Sequence, residues 1–358
     1  MHATSGDAHA SLGTSLRLTL VVAVVVSTTG ELPVTVTVSA TVATLPFATR
    51  QLDEAPSFLP AVLAVVFCLD LMSIYLLVGD FRDSGNPRTL VMSWAYLYSL
   101  VMVAAYPFVF PGVFLEMPPF AVPPPVAPWL YLGWHVGFPV LLGVAWAPWP
   151  ARAAATIPAG RRRLVHRLSF AVVLAASVGL VALFVRFAEQ MPVLIQGLDN
   201  SRMATLTAPV AAPLVALSLL GAWLGLRGNT GPERWTVITV LVCASDLLLT
   251  YSAGSRYSLG WYSGRSLTVV SAGIVLVAML VGFRRLKAQA EFYAAYDSLT
   301  GLPNRRSAYD TLARQFSHAR RRGEPFAVVL IDVDLFKQVN DKYGHEAGDL
   351  LLASVSRS

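Results

Sequence analysis

The feature that most constrains this chain is a series of apolar segments, each long enough to cross a lipid bilayer as a helix. A spanning helix needs about 20 mostly apolar residues. Seven segments meet this need: Phe58 to Val78, Leu90 to Phe110, Trp129 to Ala147, Leu168 to Phe187, Ala208 to Leu226, Trp235 to Tyr251 and Leu267 to Phe283. The chain has 55% hydrophobic and only 13% charged residues, with a mean hydropathy of +0.58. This composition excludes a soluble globular domain, and we predict an α-helical multi-pass bundle in a lipid bilayer.

An eighth span is predicted near the start of the chain. Residues Leu32 to Ala48 are apolar enough, although this segment is short and rich in Val and Thr. A shorter apolar run from Leu18 to Val26 follows Arg17. That run fits a signal-like segment, a continuation of the first span, or translated sequence ahead of the true start. We therefore predict about eight spans and leave residues 1–31 unassigned.

Basic residues are distributed unequally between alternate loops. One set holds twelve: Arg82, Arg88, Arg152, Arg161, Arg162, Arg163, Arg167, Arg227, Arg234, Arg284, Arg285 and Lys287. The opposite set holds four: Arg50, Arg202, Arg256 and Arg265. The positive-inside rule places the richer set, and with it the C-terminal part, in the cytoplasm. It also accounts for the net charge of +6 without a nucleic-acid partner.

Four ionisable residues lie within the predicted spans, namely Asp70, His135, Arg186 and Asp246. Charge in hydrocarbon is costly and usually faces a bundle interior or a water-filled cavity. The functional interpretation is a ligand or ion site between helices, with Asp70, His135 and Asp246 as sensor residues. The structural alternative is that Arg186 snorkels to the interface, His135 bonds within the bundle and the two Asp residues cap or pair locally.

A helical linker is predicted after the last span. Phe283, Leu286, Ala290 and Tyr293 recur at steps of three and four residues, which places them on one stripe of a helix. A short coiled coil and an ordinary amphipathic exit helix explain this stripe equally well.

The C-terminal segment has the pattern of a nucleotide-binding α/β domain. DSLTGLPNRR begins at Asp297 and leads into a predicted helix from Arg306 to Arg322. A turn at Gly323 and the apolar run FAVVLI then predict a buried strand that ends in Asp332-Val333-Asp334. Period-two geometry places both carboxylates on one face at the carboxyl end of that strand, where ligands collect in α/β domains. Such oxygen ligands suit Mg²⁺ holding a triphosphate.

Both halves of the chain resemble known families. FLPAVLAVVFCLDLMSIYLL, AYPFVFPGVF and WLYLGWHVGFPVLL resemble the integral-membrane sensor domains called MASE, in particular the fourth type, over Thr35 to Phe283. IDVDLFKQVNDKYGHEAGDLLL, with DSLTGLPNRR upstream, resembles the first half of a GGDEF domain. We accordingly divide the chain into residues 32–283 (sensor), 284–296 (helical linker) and 297–358 (partial GGDEF domain of α/β fold).

The GGDEF resemblance implies a diguanylate cyclase, which condenses two GTP into cyclic di-GMP with one GTP held by each domain of a homodimer. It implies that Asp332 and the backbone carbonyl of Val333 ligate Mg²⁺ or Mn²⁺. Phe336 and Lys337 would approach the phosphates, with Lys337 as the catalytic candidate. The guanine would be bound by Asn340 and Asp349, and His345 would line the same pocket.

The printed chain reaches Ser358 without a GG[DE]EF motif. We therefore expect these 358 residues alone not to make cyclic di-GMP, and a labelled-GTP assay on membranes carrying them tests this. The alternative is a non-enzymatic membrane receptor with a vestigial output domain. A transporter fits less well, because no repeated pair of interrupted spans is evident. The resemblance places the protein in a bacterial inner membrane, with an unknown sensor ligand.

Overall fold

The structure is a computed structural model that describes residues 32–111, 113, 123, 125–146, 155–226 and 236–357. The chain divides into two compact units, Met1–Leu280 and Val281–Ser358. Each unit is described by itself below.

The first unit is helical throughout its described part. Its helices are α1 (Leu32–Thr44), α2 (Phe58–Ser84), α3 (Pro87–Val109), α4 (Val126–Trp146), α5 (Ala159–Arg186), α6 (Ser201–Leu226), α7 (Thr236–Ala253) and α8 (Leu259–Ala295). Each of the seven predicted spans coincides with one of α2 to α8. Helix α8 begins at Leu259, before the predicted start of its span at Leu267. The unit boundary falls within α8.

Helices α3 and α4 form the centre of the bundle. Helix α3 packs against α2, α4 and α5, whereas α4 also packs against α6 and α7. Large side chains such as Met92 and Leu130 are fully buried between them. Trp134 and Trp146 are buried as well, so these two rings serve packing rather than an interfacial belt.

Helix α5 has the opposite character, because its apolar side chains face outward. Leu164, Leu168, Val172 and Val178 are all more than half exposed. An apolar surface of this extent is stable only against lipid or another protein. Five helices of the described residues, α2 to α6, are long and apolar enough to cross a membrane, and α1 and α7 contain shorter apolar stretches. The chain is thus a membrane protein, while the count of about eight spans stays a prediction.

Small residues allow α4 and α6 to approach closely. A Cβ atom added to Gly143 would lie 2.9 Å from the Cα atom of Ser218, and one added to Gly221 would lie 3.2 Å from the carbonyl oxygen of Gly143. Small residues at a membrane helix interface let two backbones come together and gain van der Waals contact. This contact fixes α6 against the centre of the bundle.

At the end of the bundle rich in Arg, a single side chain caps α2. The guanidinium group of Arg162 donates to the carbonyl oxygens of Arg82, Asp83 and Ser84, at 2.7 to 3.3 Å. Those carbonyls have no hydrogen-bond partner inside the helix, and a cation near them also interacts favourably with the negative end of the helix dipole. Gly85 ends the helix with a φ of 71°, a left-handed conformation that glycine adopts at least cost.

At the opposite end, which we call the Arg-poor end, three connections are bonded to one another. They are residues 45–57, 187–200 and 254–258. Leu259 N–H donates to the carbonyl of Arg50 at 2.8 Å, and Asn200 N–H donates to the carbonyl of Gly254 at 3.0 Å. These bonds hold the ends of α1, α6, α7 and α8 in fixed positions.

The second unit contains the end of α8 and three further helices, α9 (Arg305–Arg322), α10 (Phe336–Tyr343) and α11 (His345–Val355). The predicted helix from Arg306 to Arg322 is confirmed as α9. Asn304 caps it by accepting from Ser307 N–H at 3.0 Å.

The buried strand predicted for FAVVLI was wrong. Among the described residues of the second unit no β-strand is present, and Leu330 and Ile331 are 94% and 78% exposed. A strand needs neighbours to satisfy its backbone groups and cover its apolar faces. The described part of this unit supplies none.

We predict that Gly143→Ala destabilises the membrane unit by about 1–3 kcal/mol, because its methyl group would meet the backbone of Ser218. Thermal unfolding of the full chain in detergent measures the change. The matched control is Gly179→Ala in α5, where a Cβ atom meets nothing within 4 Å. Equal melting temperatures for the two variants would contradict the close contact of α4 and α6.

Candidate functional site

The three predicted sensor residues are all buried inside the membrane unit. Asp70 in α2, His135 in α4 and Asp246 in α7 have exposed fractions of 4%, 3% and 1%. The fourth ionisable residue of the spans, Arg186, is the last residue of α5 and its guanidinium lies 5.7 Å from the centre of the Phe187 ring. This position at a helix end agrees with the snorkelling interpretation.

An ion-pair cluster joins α4, α7 and α8. His135 Nε2 lies 2.8 Å from Asp246 Oδ2, and Arg265 Nη1 lies 3.7 Å from Asp246 Oδ1. Thr250 Oγ1 donates to the same carboxylate at 3.2 Å. Because Arg265 is only 7% exposed, the three side chains compensate one another away from water.

The hydrogen bonds of His135 define its role further. Its Nδ1 atom lies 3.0 Å from the carbonyl oxygen of Tyr131, and its Nε2 atom faces the Asp246 carboxylate. The carbonyl oxygen can only accept, so Nδ1 donates to Tyr131, and Nε2 is left to pair with the carboxyl group of Asp246.

Arg265 is the functional residue that sequence reasoning missed. The loop count placed it outside the spans, whereas it lies two turns into α8 and donates to the Trp261 carbonyl at 2.9 Å. Its guanidinium also lies 4.2 Å from the centre of a Trp261 ring. The signal available in the sequence was Asp246 itself, because a carboxylate in hydrocarbon requires a partner.

Asp70 in α2 is hydrogen-bonded to a separate set of side chains. Its Oδ2 atom accepts from Ser99 Oγ at 2.7 Å, and Ser99 Oγ accepts from Trp134 Nε1 at 2.9 Å. A cavity of about 30 Å³ has Asp70, Ser99, Trp134 and His135 among its lining residues. The structure therefore brings Asp70 and His135 to one water-sized cavity, with Asp246 behind His135.

The predicted nucleotide residues lie in the second unit. Asp332 and Asp334 are exposed and lie outside regular structure, with Val333 partly buried between them. Leu335 follows with a φ of 58°, a left-handed conformation that is costly for a branched side chain. The chain turns sharply there, and Phe336 and Lys337 open α10.

Asn340 is one of the predicted guanine-binding residues. It lies on the same face of α10 as Phe336, four residues earlier. A Cβ atom added to Gly348 of α11 would meet both Asn340 Oδ1 and Phe336. The Oδ1 atom of Asn340 is buried and has no hydrogen-bond partner within the described part of the chain. Such an acceptor is rare unless a ligand or a water supplies a donor.

Asp349 and His345 complete the predicted set. Asp349 is exposed and directly follows Gly348, so it leaves α11 beside the Asn340 contact. His345 is the first residue of α11 and lies one turn away on the same face as Asp349. Among the residues that the structure describes, no three or more His, Cys, Asp or Glu side chains lie close enough together to hold a metal ion.

The loop that precedes α9 is held by one carboxylate. Asp297 Oδ1 accepts from the N–H groups of Leu299 and Thr300, at 3.2 and 2.9 Å, and from the Thr300 hydroxyl at 2.9 Å. These bonds, with the Thr300 N–H first, lower the pKa of Asp297. Ser356 donates to the Thr300 carbonyl at 3.2 Å, which links the end of α11 to this loop.

A membrane helix bundle with a buried charge cluster, whose last helix continues into a smaller unit, has the organisation of a membrane sensor with an output domain. The profile of the family MASE4, described as "Membrane-associated sensor, integral membrane domain", matches residues 53–286. The chain belongs to this family. The profile "Diguanylate cyclase, GGDEF domain" matches residues 294–358, so a GGDEF domain follows the sensor.

Curated relatives support the same assignment. The chain is 30% identical over 179 residues to the bifunctional diguanylate cyclase/cyclic di-GMP phosphodiesterase MucR of Pseudomonas aeruginosa, covering 40% of this chain and 26% of MucR. It is 49% identical over 59 residues to the diguanylate cyclase DgcP of Escherichia coli, and this match covers 16% of this chain and 17% of DgcP. It is 32% identical over 125 residues to the probable diguanylate cyclase DgcT of Escherichia coli, and this match covers 34% of this chain and 27% of DgcT.

The chain thus spans between 17% and 27% of the length of these three relatives. No solved structure matches it.

We predict that Asp246→Asn destabilises the membrane unit by about 3–5 kcal/mol, because it leaves Arg265 and His135 without their shared anion. Unfolding of the full chain in detergent measures the loss. Asp53→Asn, in an exposed loop position, is the control and should have little effect. Adding Arg265→Gln to Asp246→Asn should recover part of the loss, and strictly additive losses would contradict the ion pair.

Proposed function

We propose that this protein is a membrane-bound sensor that controls a diguanylate cyclase output, in which two GTP molecules are condensed to cyclic di-GMP. The observation that carries the proposal is the buried Oδ1 atom of Asn340, which lacks a partner in the described chain and packs against Gly348, the residue before Asp349. Guanine presents two adjacent donors, N1–H and the N2 amino group. An amide oxygen and a carboxylate side by side suit those two donors, whereas adenine offers no such pair.

The donor set at residues 332–334 suits a hard cation. Two carboxylates and a backbone carbonyl are oxygen ligands, and Mg²⁺ prefers these. We assign Asp332 and the carbonyl of Val333 to Mg²⁺ or Mn²⁺, which would neutralise phosphate charge when bound. The exposed positions of these residues leave them accessible to a triphosphate.

Lys337 is the proposed catalytic residue. It lies three residues before Asn340 on α10, so a nucleotide whose base reaches Asn340 has its phosphates near the start of the helix. The helix N-terminus and the Lys337 ammonium group both favour negative charge there. Phe336 and His345 would then enclose the nucleotide between α10 and α11. Phosphoryl transfer depends mainly on such positioning and charge stabilisation.

The remaining parts of the proposal concern assembly and location. Since each GGDEF domain holds one GTP, the reaction requires two copies, and we propose a homodimer through the output domain. The distribution of Arg residues supports a cytoplasmic C-terminus, where GTP is available, in a bacterial inner membrane with about eight spans. The α/β fold of the complete output domain belongs to this proposal too.

We predict that the full chain in lipid nanodiscs binds GTP in preference to ATP in the presence of Mg²⁺. Asn340→Ala should weaken GTP binding about fivefold, and Asp349→Asn about tenfold or more, because they remove one neutral and one charged hydrogen-bond acceptor. A fluorescent GTP analogue with competition by unlabelled nucleotides measures both.

Matched controls are available on the same two helices. Gln338→Ala and Glu346→Gln alter exposed side chains of α10 and α11 and should leave GTP affinity unchanged. Equal affinity for ATP and GTP, or no response to Asn340→Ala, would reject the guanine site. A chain that binds no nucleotide at all would favour the non-enzymatic receptor.

A further inference from the structure

A second cavity lies at the Arg-poor end of the membrane unit. Its volume is about 20 Å³, and its lining includes Tyr106, Phe110, Asn200, Arg256, Trp261 and Arg265. In this structure the volume admits one or two water molecules, so a solute would have to displace them. Two guanidinium groups at one small cavity are unusual inside a membrane domain and require an explanation.

Arg256 has no anionic partner in the described part of the chain. Its guanidinium lies 4.7 Å from the centre of the Phe110 ring. Desolvation by burial lowers the pKa of Arg256, yet an Arg side chain keeps its charge in proteins. The residue is also held in place: its N–H donates to the carbonyl of Leu198 at 2.9 Å, and its carbonyl accepts from Gln51 Nε2 at 2.9 Å.

Asn200 supplies an independent sign of a ligand. It is 2% exposed. Its Nδ2 atom donates to the carbonyl of Thr250 at 3.1 Å, which fixes the orientation of the amide. The Oδ1 atom is therefore the free end, and it is buried without a hydrogen-bond partner among the described residues. A buried acceptor of this kind costs about 1–3 kcal/mol unless a donor reaches it.

The charges around the cavity do not balance without a ligand. The charge of Arg265 is compensated by Asp246 at 3.7 Å. Within the described residues the charge of Arg256 has no such partner, so this part of the cavity lining favours one negative charge. A carboxylate matches a guanidinium fork with two parallel hydrogen bonds. The unpaired acceptor of Asn200 requires that the same molecule also carry an N–H or O–H group.

We propose that this cavity binds a small carboxylate solute from the Arg-poor side, with its carboxylate on Arg256 and a hydroxyl or amino group on Asn200 Oδ1. This assignment names the ligand class of the sensor and so rests on the sensor part of the proposed function. Trp261 and Arg265, which line the cavity, belong to α8. Ligand binding therefore acts directly on the helix that continues to Ala295.

The test compares three small carboxylates on the full chain in nanodiscs, in a carboxylate-free chloride buffer of constant ionic strength. Acetate carries only the charge, whereas glycolate and glycine add a donor. Acetamide is the neutral control. We expect saturable rises in the melting temperature with glycolate or glycine, an at least tenfold weaker effect of acetate, and none with acetamide. This readout needs no cyclase activity, so its failure and that of the cyclase proposal are distinguishable.

Two variants complete the test. Arg256→Gln should abolish the carboxylate response, while Arg202→Gln, an exposed Arg near the start of α6, should preserve it. Asn200→Ala should make glycolate no better than acetate. If Arg256→Gln does not fold, Arg256→Lys, which keeps the charge without the fork, should lower the affinity at least tenfold. A rise with acetamide equal to that with glycolate, or a response that survives in Arg256→Gln, would overturn the proposal.

Discussion

The membrane unit depends on the pairing of Asp246 with His135 and Arg265. Each residue comes from a different helix, α7, α4 and α8 respectively, and each would be costly in hydrocarbon alone. The pairing therefore specifies how these helices meet more strictly than apolar packing does, because lipid competes equally well for apolar side chains. A shift of α8 by one turn would move Arg265 by about 5 Å and break the ion pair.

This pairing also gives α8 two defined functions at once. Near its start it carries Arg265 and Trp261, which line the cavity at the Arg-poor end. Its other end, at Ala295, accepts a hydrogen bond from the Asn304 N–H in the loop before α9. The helix is continuous between these points. Arg265 and the Ala295 carbonyl thus belong to one helix.

The sequence predicted the helices of the bundle well, because hydropathy is a local property. Helix α8 begins before the predicted span, since Arg265 and two glycines lower the local hydropathy and a hydropathy window begins the span after them. That Arg265 meets Asp246 depends on tertiary packing, which no local pattern encodes. In the second unit, the predicted helix from Arg306 to Arg322 matches α9, and the predicted turn falls at Gly323. FAVVLI failed because a strand forms only with partners, and partners are distant in sequence.

The two proposed sites share one structural feature, a buried polar atom without a hydrogen-bond partner among the described residues. Among the described residues, buried side-chain polar atoms without a partner occur on Asn200, Asn340 and His166. Asn200 lines the same cavity as Arg256, and Asn340 of α10 packs against Gly348 of α11, the residue before Asp349. His166 also has unpaired polar atoms and rests against Phe170, with 4.3 Å between the ring centres, near the charges of Arg82 and Arg167. An unpaired polar atom beside a charge is therefore not by itself a ligand contact. The two proposed sites rest on further features: the cavity that Asn200 shares with Arg256, and the match of residues 294–358 to a GGDEF domain.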